Sequence, residues 1–172
     1  MRVIAGVARG RRLAVPAGRD VRPTSDRVRE AVFSSLVSMN AVDDARVLDL
    51  FAGSGALGIE ALSRGAAAAT FVDHDRRVID TIRANLDATA LAAQASVVCD
   101  DALGYVAAHP EAVDLAFVDP PYAFDAWDEL LGRLRAGVVV LESDRPPPLA
   151  TRFEVLRAKA YGGTVVTIAR PA

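Results

Sequence analysis

Apolar residues recur along this chain in two rhythms, and from about residue 46 the two alternate. Short runs at 47–50, 69–73, 96–99, 113–118 and 137–141 are apolar, bounded by turn residues, and of strand length. Between them the apolar positions spread to helical spacing: after Gly55, where Leu57, Ala61 and Leu62 share one side, and then over 75–90, 102–108 and 126–134. Strands that alternate with helices predict a mostly parallel sheet covered on both faces. Two further runs, 153–158 and 164–169, are joined by Tyr161-Gly162-Gly163 and predict a closing antiparallel hairpin, for seven strands in all.

Upstream of this block the pattern differs. Residues 3–7 and 12–15 predict two short strands around Ala8-Arg9-Gly10-Arg11, a β-hairpin with a basic tip. Pro16, Gly18 and Pro23 interrupt structure, and Thr24, Ser25 and Asp26 are all suitable caps for a helix reaching Met39. Val28, Val32, Leu36 and Met39 form its apolar stripe. The expected organisation is a basic hairpin extension over 1–23 and one α/β domain over 24–172.

Composition sharpens this picture in four respects. With 172 residues and 52% hydrophobic content, the chain can bury a sizeable core. The sequence contains neither an apolar span of membrane length nor a signal-peptide pattern, so a cytoplasmic location is expected. Cys99 is the only cysteine and His74 and His109 the only histidines, which excludes an intrachain disulfide and argues against a zinc site; no metal is expected. Cys99 ends an apolar run and is expected to pack as a small core residue. Net charge is −2, yet Arg2, Arg9, Arg11, Arg12, Arg19, Arg22, Arg27 and Arg29 crowd the first thirty residues against Asp20, Asp26 and Glu30. A basic arm on an acidic body is a footprint for a phosphate backbone, although a merely solvated charged segment has the same composition.

Candidate chemistry gathers at predicted strand ends. Asp49 closes the first strand, and Phe51-Ala52-Gly53-Ser54-Gly55 turns the chain into a helix. Glycine permits positive φ and close backbone approach, and helix N-terminal N–H groups attract polar ligands. Gly53, Gly55 and Gly58 also fit the G-x-G-x-x-G spacing of dinucleotide sites. The carboxylate of Asp49 favours a ligand with an ammonium group over a pyrophosphate, and S-adenosylmethionine is such a ligand. Asp73 ends the second strand at a suitable remove to accept from both ribose hydroxyls, while Asp75 is the better helix cap. Asp100 and Asp101 end the third strand. One can accept from an adenine amine, with the N–H of Ala102 donating to a ring nitrogen, and the other can cap the helix; Asp101 is favoured for the ligand.

Asp119-Pro120-Pro121-Tyr122 follows the fourth strand. Consecutive prolines fix φ and remove N–H donors, which leaves acceptors to point outward. The Asp119 carboxylate and Pro120 carbonyl suit an –NH₂ conjugated to an aromatic ring, and Tyr122 offers a face on which that ring can stack. No nucleophile is present, so direct transfer to a positioned amine is the chemistry indicated.

Asp49-Leu50-Phe51-Ala52-Gly53-Ser54-Gly55 followed by Asp119-Pro120-Pro121-Tyr122 resembles class I, Rossmann-like S-adenosylmethionine-dependent methyltransferases acting on exocyclic amines. Arg2-Val3-Ile4-Ala5-Gly6, Arg9-Gly10-Arg11-Arg12-Leu13 and Arg22-Pro23-Thr24-Ser25-Asp26-Arg27-Val28-Arg29-Glu30 narrow the resemblance to the RsmD family, over essentially the whole chain. That family methylates the N2 amine of a guanine in small-subunit ribosomal RNA. The resemblance implies that Asp49, Phe51, Ala52, Gly53, Ser54 and Gly55 hold the methionine end of the cofactor, Asp73 its ribose, and Asp101 with Ala102 its adenine. Asp119, Pro120, Pro121 and Tyr122 would hold the flipped guanine, and Arg9, Arg11, Arg12, Arg22, Arg27 and Arg29 would grip RNA phosphates. Asp73 stands where many family members have Glu. The partner implied is ribosomal RNA, within a subunit or an assembly intermediate, and a monomer is expected.

Three other readings remain open at this point. N6-adenine methylation would use the same Asp-Pro-Pro-Tyr chemistry. An NAD-dependent oxidoreductase could share the glycine loop. A non-catalytic RNA-binding protein could retain the fold.

Overall fold

A computed structural model describes residues 1–16, 25–149 and 152–172. Its single sheet runs in the order β3-β2-β1-β4-β5-β7-β6. The strands are β1 (Arg46–Leu50), β2 (Ala68–Asp73), β3 (Ala95–Cys99), β4 (Val113–Val118), β5 (Ala136–Ser143), β6 (Phe153–Tyr161) and β7 (Thr164–Pro171). The first five pair in parallel, and β7 pairs antiparallel with both β5 and β6. The expected seven-stranded α/β fold with its antiparallel closing hairpin is present. The strand order reverses between β1 and β4, and in such sheets the crevice at the carboxyl ends of these two strands is where ligands bind.

The helices are α1 (Asp26–Ser38), α2 (Ala56–Ser63), α3 (Arg76–Thr89), α4 (Ala102–Ala108) and α5 (Trp127–Arg133). They cover both faces of the sheet. On one face Phe33 and Leu36 of α1, Ile59 and Leu62 of α2, and Ile79, Ile82 and Leu86 of α3 pack against Val47, Phe71, Leu115 and Phe117. On the other, Ala102 and Val106 of α4 and Trp127, Leu130 and Leu131 of α5 pack against Leu48, Leu50, Val118 and Leu141. Strand side chains alternate between faces. Asp49, Asp73, Asp119 and Glu142 therefore all belong to the first face, two residues beyond or level with its apolar positions.

Local signals placed most boundaries. Ser25 caps α1, its hydroxyl accepting from the N–H of Val28 at 3.3 Å, and Asp75 caps α3 by accepting from Arg77 at 2.9 Å. Gly162, at φ +62°, allows the tight turn between β6 and β7, where Tyr161 faces Thr164.

Two expectations are amended. The N-terminal hairpin is short: the N–H groups of Val3, Gly10 and Leu13 donate to the carbonyls of Arg11, Val3 and Met1 at 3.0, 2.9 and 3.0 Å, around one antiparallel bridge between Arg2 and Arg12. Its residues 4–8 dock on α2: the N–H groups of Ile4 and Ala5 donate to Glu60, at 2.8 and 3.0 Å, and that of Ala8 to the Ser63 hydroxyl at 3.0 Å. Gly6 makes this docking feasible, because a Cβ there would sit 1.7 Å from the Ser63 carbonyl oxygen. Val3, Ala8 and Leu13 are buried beneath the segment. Cys99, expected in the core, is exposed, because β3 is the edge strand and the residue lies at its end. Among the described residues no helix is long and apolar enough to cross a membrane.

Candidate active site

The turn after β1 is held by its own backbone and by two side chains. Phe51 adopts φ +57°, a conformation costly for a side chain this large, and Gly53 and Gly55 follow at +56° and +75°. The N–H of Ala52 donates to the Val72 carbonyl at 3.1 Å and that of Gly55 to Ala52 at 2.7 Å. Gly53 donates to the Asp73 carboxylate at 3.2 Å, and Asn85 of α3 donates to the Ser54 carbonyl at 2.8 Å. Gly58 is obligatory for packing: a Cβ there would lie 2.3 Å from the Phe71 ring and 3.1 Å from the Asp49 carboxylate.

Asp49 is buried, and its carboxylate accepts from the N–H of Gly58 at 2.9 Å. Burial, with a smaller contribution from the nearby Asp73 charge, pushes its pKa from an ordinary 3.8 up to about 8. The carboxylate thus occupies the N-terminal turn of α2, where a dinucleotide would place its pyrophosphate. Asp73 is also buried, and its other carboxylate oxygen accepts from the N–H of Asp75 at 3.0 Å. Asp75 caps the helix as expected, and Asp73 faces the glycine turn.

At β3, Asp101 caps α4, accepting from Gly104 at 3.0 Å through Oδ2, while Asp100 accepts from the N–H of Asp101 at 2.8 Å. Both acids are exposed, and Ala102 is buried at the first turn of α4. Capping is thus a function of Asp101, the residue favoured for the adenine; the cap engages one of its two carboxylate oxygens.

The Asp119-Pro120-Pro121-Tyr122 segment leaves β4 beside the turn. Burial and the negative charges of Glu142 and Asp49 push the Asp119 carboxyl well above its usual range. Glu142 lies on β5, whose pairing with β4 sets Leu141 opposite Val118, so Asp119 and Glu142 emerge side by side. Tyr122 is 49% exposed, and its hydroxyl is tethered to that of Thr164 on β7 at 2.8 Å. The segment is fastened below by Phe124, whose N–H donates to the Pro121 carbonyl at 2.8 Å. The Phe124 ring meets Phe51 edge-on at 5.2 Å and Trp127 at 5.4 Å, linking the two motifs through aromatic contacts.

Four residues of this site escaped the sequence reading: Asn85, Phe124, Glu142 and Thr164. Glu142 left a trace, an acid at the end of the apolar run Gly137-Val138-Val139-Val140-Leu141. Phe124 left another, an aromatic within a polar loop. Asn85 and Thr164 look like ordinary helix and hairpin residues.

The arginines divide. Arg9, Arg11, Arg12 and Arg27 are exposed, as phosphate contacts require. Arg22 lies outside the described residues. Arg29 is withdrawn from the set: it is fully buried, donates to the Arg2 carbonyl and to Asp26, and lies 4.0 Å from Glu60. Its side chain joins the N-terminal segment to α1 and cannot reach a ligand in solvent.

Comparison with known proteins adds to this geometry. A family model described as Conserved hypothetical protein 95 matches residues 1–170. The ribosomal RNA small subunit methyltransferase D of Escherichia coli is 45% identical over 134 residues, which cover 78% of this chain and 66% of that protein, slightly under two thirds of its length. The Haemophilus influenzae protein of the same name is 33% identical, with 94% of this chain and 89% of its own length covered. Among solved structures, yhhF of Escherichia coli superposes with a TM-score of 0.85 at 36% identity, covering 99% of this chain and 97% of that one. With the glycine turn, the strand-end acids and the Asp-Pro-Pro-Tyr segment in place, the chain belongs to this family, that of the RsmD methyltransferases.

Proposed function

We propose that this protein transfers a methyl group from S-adenosylmethionine to the exocyclic N2 amine of a guanine in small-subunit ribosomal RNA. The observation that carries this reading is the set of four carboxylates, Asp49, Asp73, Asp119 and Glu142, on one face of the sheet at the carboxyl ends of β1, β2, β4 and β5. Such a site favours a cation and repels a pyrophosphate, and Asp49 already fills the helix N-terminus that a dinucleotide needs. This counts against the oxidoreductase reading.

The residues present suit the cofactor. Asp49 and the turn Phe51–Gly55 would hold its ammonium and methionine end, Asp73 its ribose, and Asp101 with the N–H of Ala102 its adenine. When bound, S-adenosylmethionine supplies a methyl group on a sulfonium, an electrophile that requires no activation by the protein. The protein's task is then to position and polarise the amine. Asp119 and the Pro120 carbonyl accept its two hydrogens and draw the nitrogen lone pair out of conjugation with the ring. Tyr122, held by Thr164, stacks on a base flipped from its helix, at an unstacking cost of a few kcal/mol. Pro121 keeps the turn rigid, so that these acceptors are preorganised. Asp119 is placed to take the proton the amine sheds.

The RNA surface comprises Arg9, Arg11 and Arg12 on the N-terminal 1–23 extension and Arg27 on α1, with Arg22, outside the described residues, as a further phosphate contact. Arg29 supports that surface from beneath. The protein acts as a cytoplasmic monomer on RNA within a small subunit or its assembly intermediate.

The test is methyl transfer from labelled S-adenosylmethionine to small subunits that lack the modification, followed by nucleoside analysis. Label in N2-methylguanosine is expected. Label in N6-methyladenosine would overturn the choice of base, and absence of label with cofactor bound would overturn the choice of substrate.

A further inference from the structure

Glu142 is the one acid of the strand-end set with no part in binding the cofactor or the amine. Its position is fixed by strand pairing. Leu141 faces Val118 across the β4–β5 ladder, so Glu142 emerges level with Asp119. On its other side Glu142 pairs with Val166 of β7, two residues from the Thr164 that anchors the Tyr122 hydroxyl at 2.8 Å. Along β5 the alternation that sends Val138 and Val140 to the first face sends Glu142 there too, as it does Asp119 beyond Phe117. A base lying on Tyr122 with its amine at Asp119 would therefore have Glu142 about one strand spacing from that amine, within reach of an adjacent ring position.

We propose that Glu142 is a specificity-determining residue that accepts the N1–H of the target guanine, beside the N2 amine held by Asp119 and Pro120. This deepens the guanine-N2 reading above and rests on it. Guanine displays two adjacent donor groups on this edge, N1–H and N2–H₂. Adenine and cytosine pair their amine with a ring-nitrogen acceptor, whose lone pair a carboxylate repels. One carboxylate thus rewards guanine and penalises the alternatives, combining attraction with exclusion. Asp-Pro-Pro-Tyr alone cannot do this, because it reads only an amine. The raised pKa of Asp119 fits the same arrangement: two acids share a confined space until a base with donors for both separates them.

The test needs a base that keeps the N2 amine and lacks N1–H, and 2-aminopurine is that base. Small subunits would be reconstituted with guanine or 2-aminopurine at the mapped acceptor position, and kcat/KM measured for wild type, Glu142→Gln and Glu142→Asp. Wild type is expected to prefer guanine by tenfold or more. Glu142→Gln should collapse that preference, because an amide can serve either edge. Glu142→Asp, which keeps the charge, should turn over more slowly yet retain the preference. Equal losses on both bases with Glu142→Gln would mark a structural or general electrostatic role and overturn the proposal, as would an unchanged ratio. A fall in thermal stability alone moves both rates together, so the ratio stays informative. If wild type transfers label only to adenine, the parent reading fails and takes this one with it, an outcome visible without any variant.

Discussion

The molecule buries carboxylates in two places and treats them in opposite ways. Glu60 on α2 is fully buried and surrounded by donors: Arg64 at 2.7 Å, the N–H groups of Ile4 and Ala5 at 2.8 and 3.0 Å, and the Arg29 guanidinium 4.0 Å away. Arg64 also lies over the Phe33 ring at 4.9 Å. At the strand ends, Asp49 accepts from one backbone N–H, that of Gly58, and burial together with neighbouring carboxylates pushes both Asp49 and Asp119 toward the neutral form. A charge compensated from within serves the fold. A charge left short of cations is held for something that arrives. The comparison assigns Glu60 to architecture and the strand-end acids to ligands.

The largest test removes the compensated acid. Glu60→Gln should cost about 3–5 kcal/mol, because the buried Arg29 guanidinium loses its buried counter-charge and keeps only the solvent-exposed Asp26 carboxylate; chemical denaturation measures this, and limited proteolysis should find the first fifteen residues released. Removing an acid from the strand ends should have the opposite sign for stability. Asp119→Asn should raise the melting temperature of the cofactor-free protein, lower turnover by about 10²–10³-fold, and leave S-adenosylmethionine affinity nearly unchanged. A loss of cofactor affinity without loss of turnover would reverse the assignment of Asp119.

Asp49 carries a pH signature. Its pKa rises from 3.8 in the unfolded chain to about 8 in the fold, so between these values the native state holds a proton that the unfolded state has released. Stability of the cofactor-free protein should therefore fall as pH rises across that window and level off above it, by up to about 1 kcal/mol per pH unit. Asp49→Asn should flatten this slope, and it should weaken cofactor binding roughly tenfold, about the worth of one charge-assisted hydrogen bond. The smallest effect lies on the surface. Arg9→Ala or Arg11→Ala should each reduce the slope of log affinity for RNA against log salt by about 1. Arg29, being buried, does not belong to that slope.

The sequence made the fold legible because parallel strands are buried on both faces and read as unbroken apolar runs, as at 115–118 in β4. The site was legible where chemistry needs residues adjacent in sequence, as in Asp119-Pro120-Pro121-Tyr122. It was not legible where function depends on register. Glu142 gains its meaning from pairing opposite the end of β4, and Thr164 from the reach of a tyrosine forty-two residues earlier. The N-terminal hairpin was legible from its own pattern, and its strands pair at Val3, Gly10 and Leu13. Its docking was not legible, because residues 4–8 find Glu60 and Ser63, more than fifty residues away. Arg29 counted among the surface charges because its burial depends on that same docking.

The most direct test of the central claim is calorimetric titration with S-adenosylmethionine near pH 7 in buffers of different ionisation enthalpy. Binding of the cation is expected to release protons from the strand-end acids, Asp49→Asn to reduce the release, and S-adenosylhomocysteine, lacking the sulfonium charge, to bind more weakly. Binding without proton release, equally tight for both ligands and unaltered by Asp49→Asn, would contradict it.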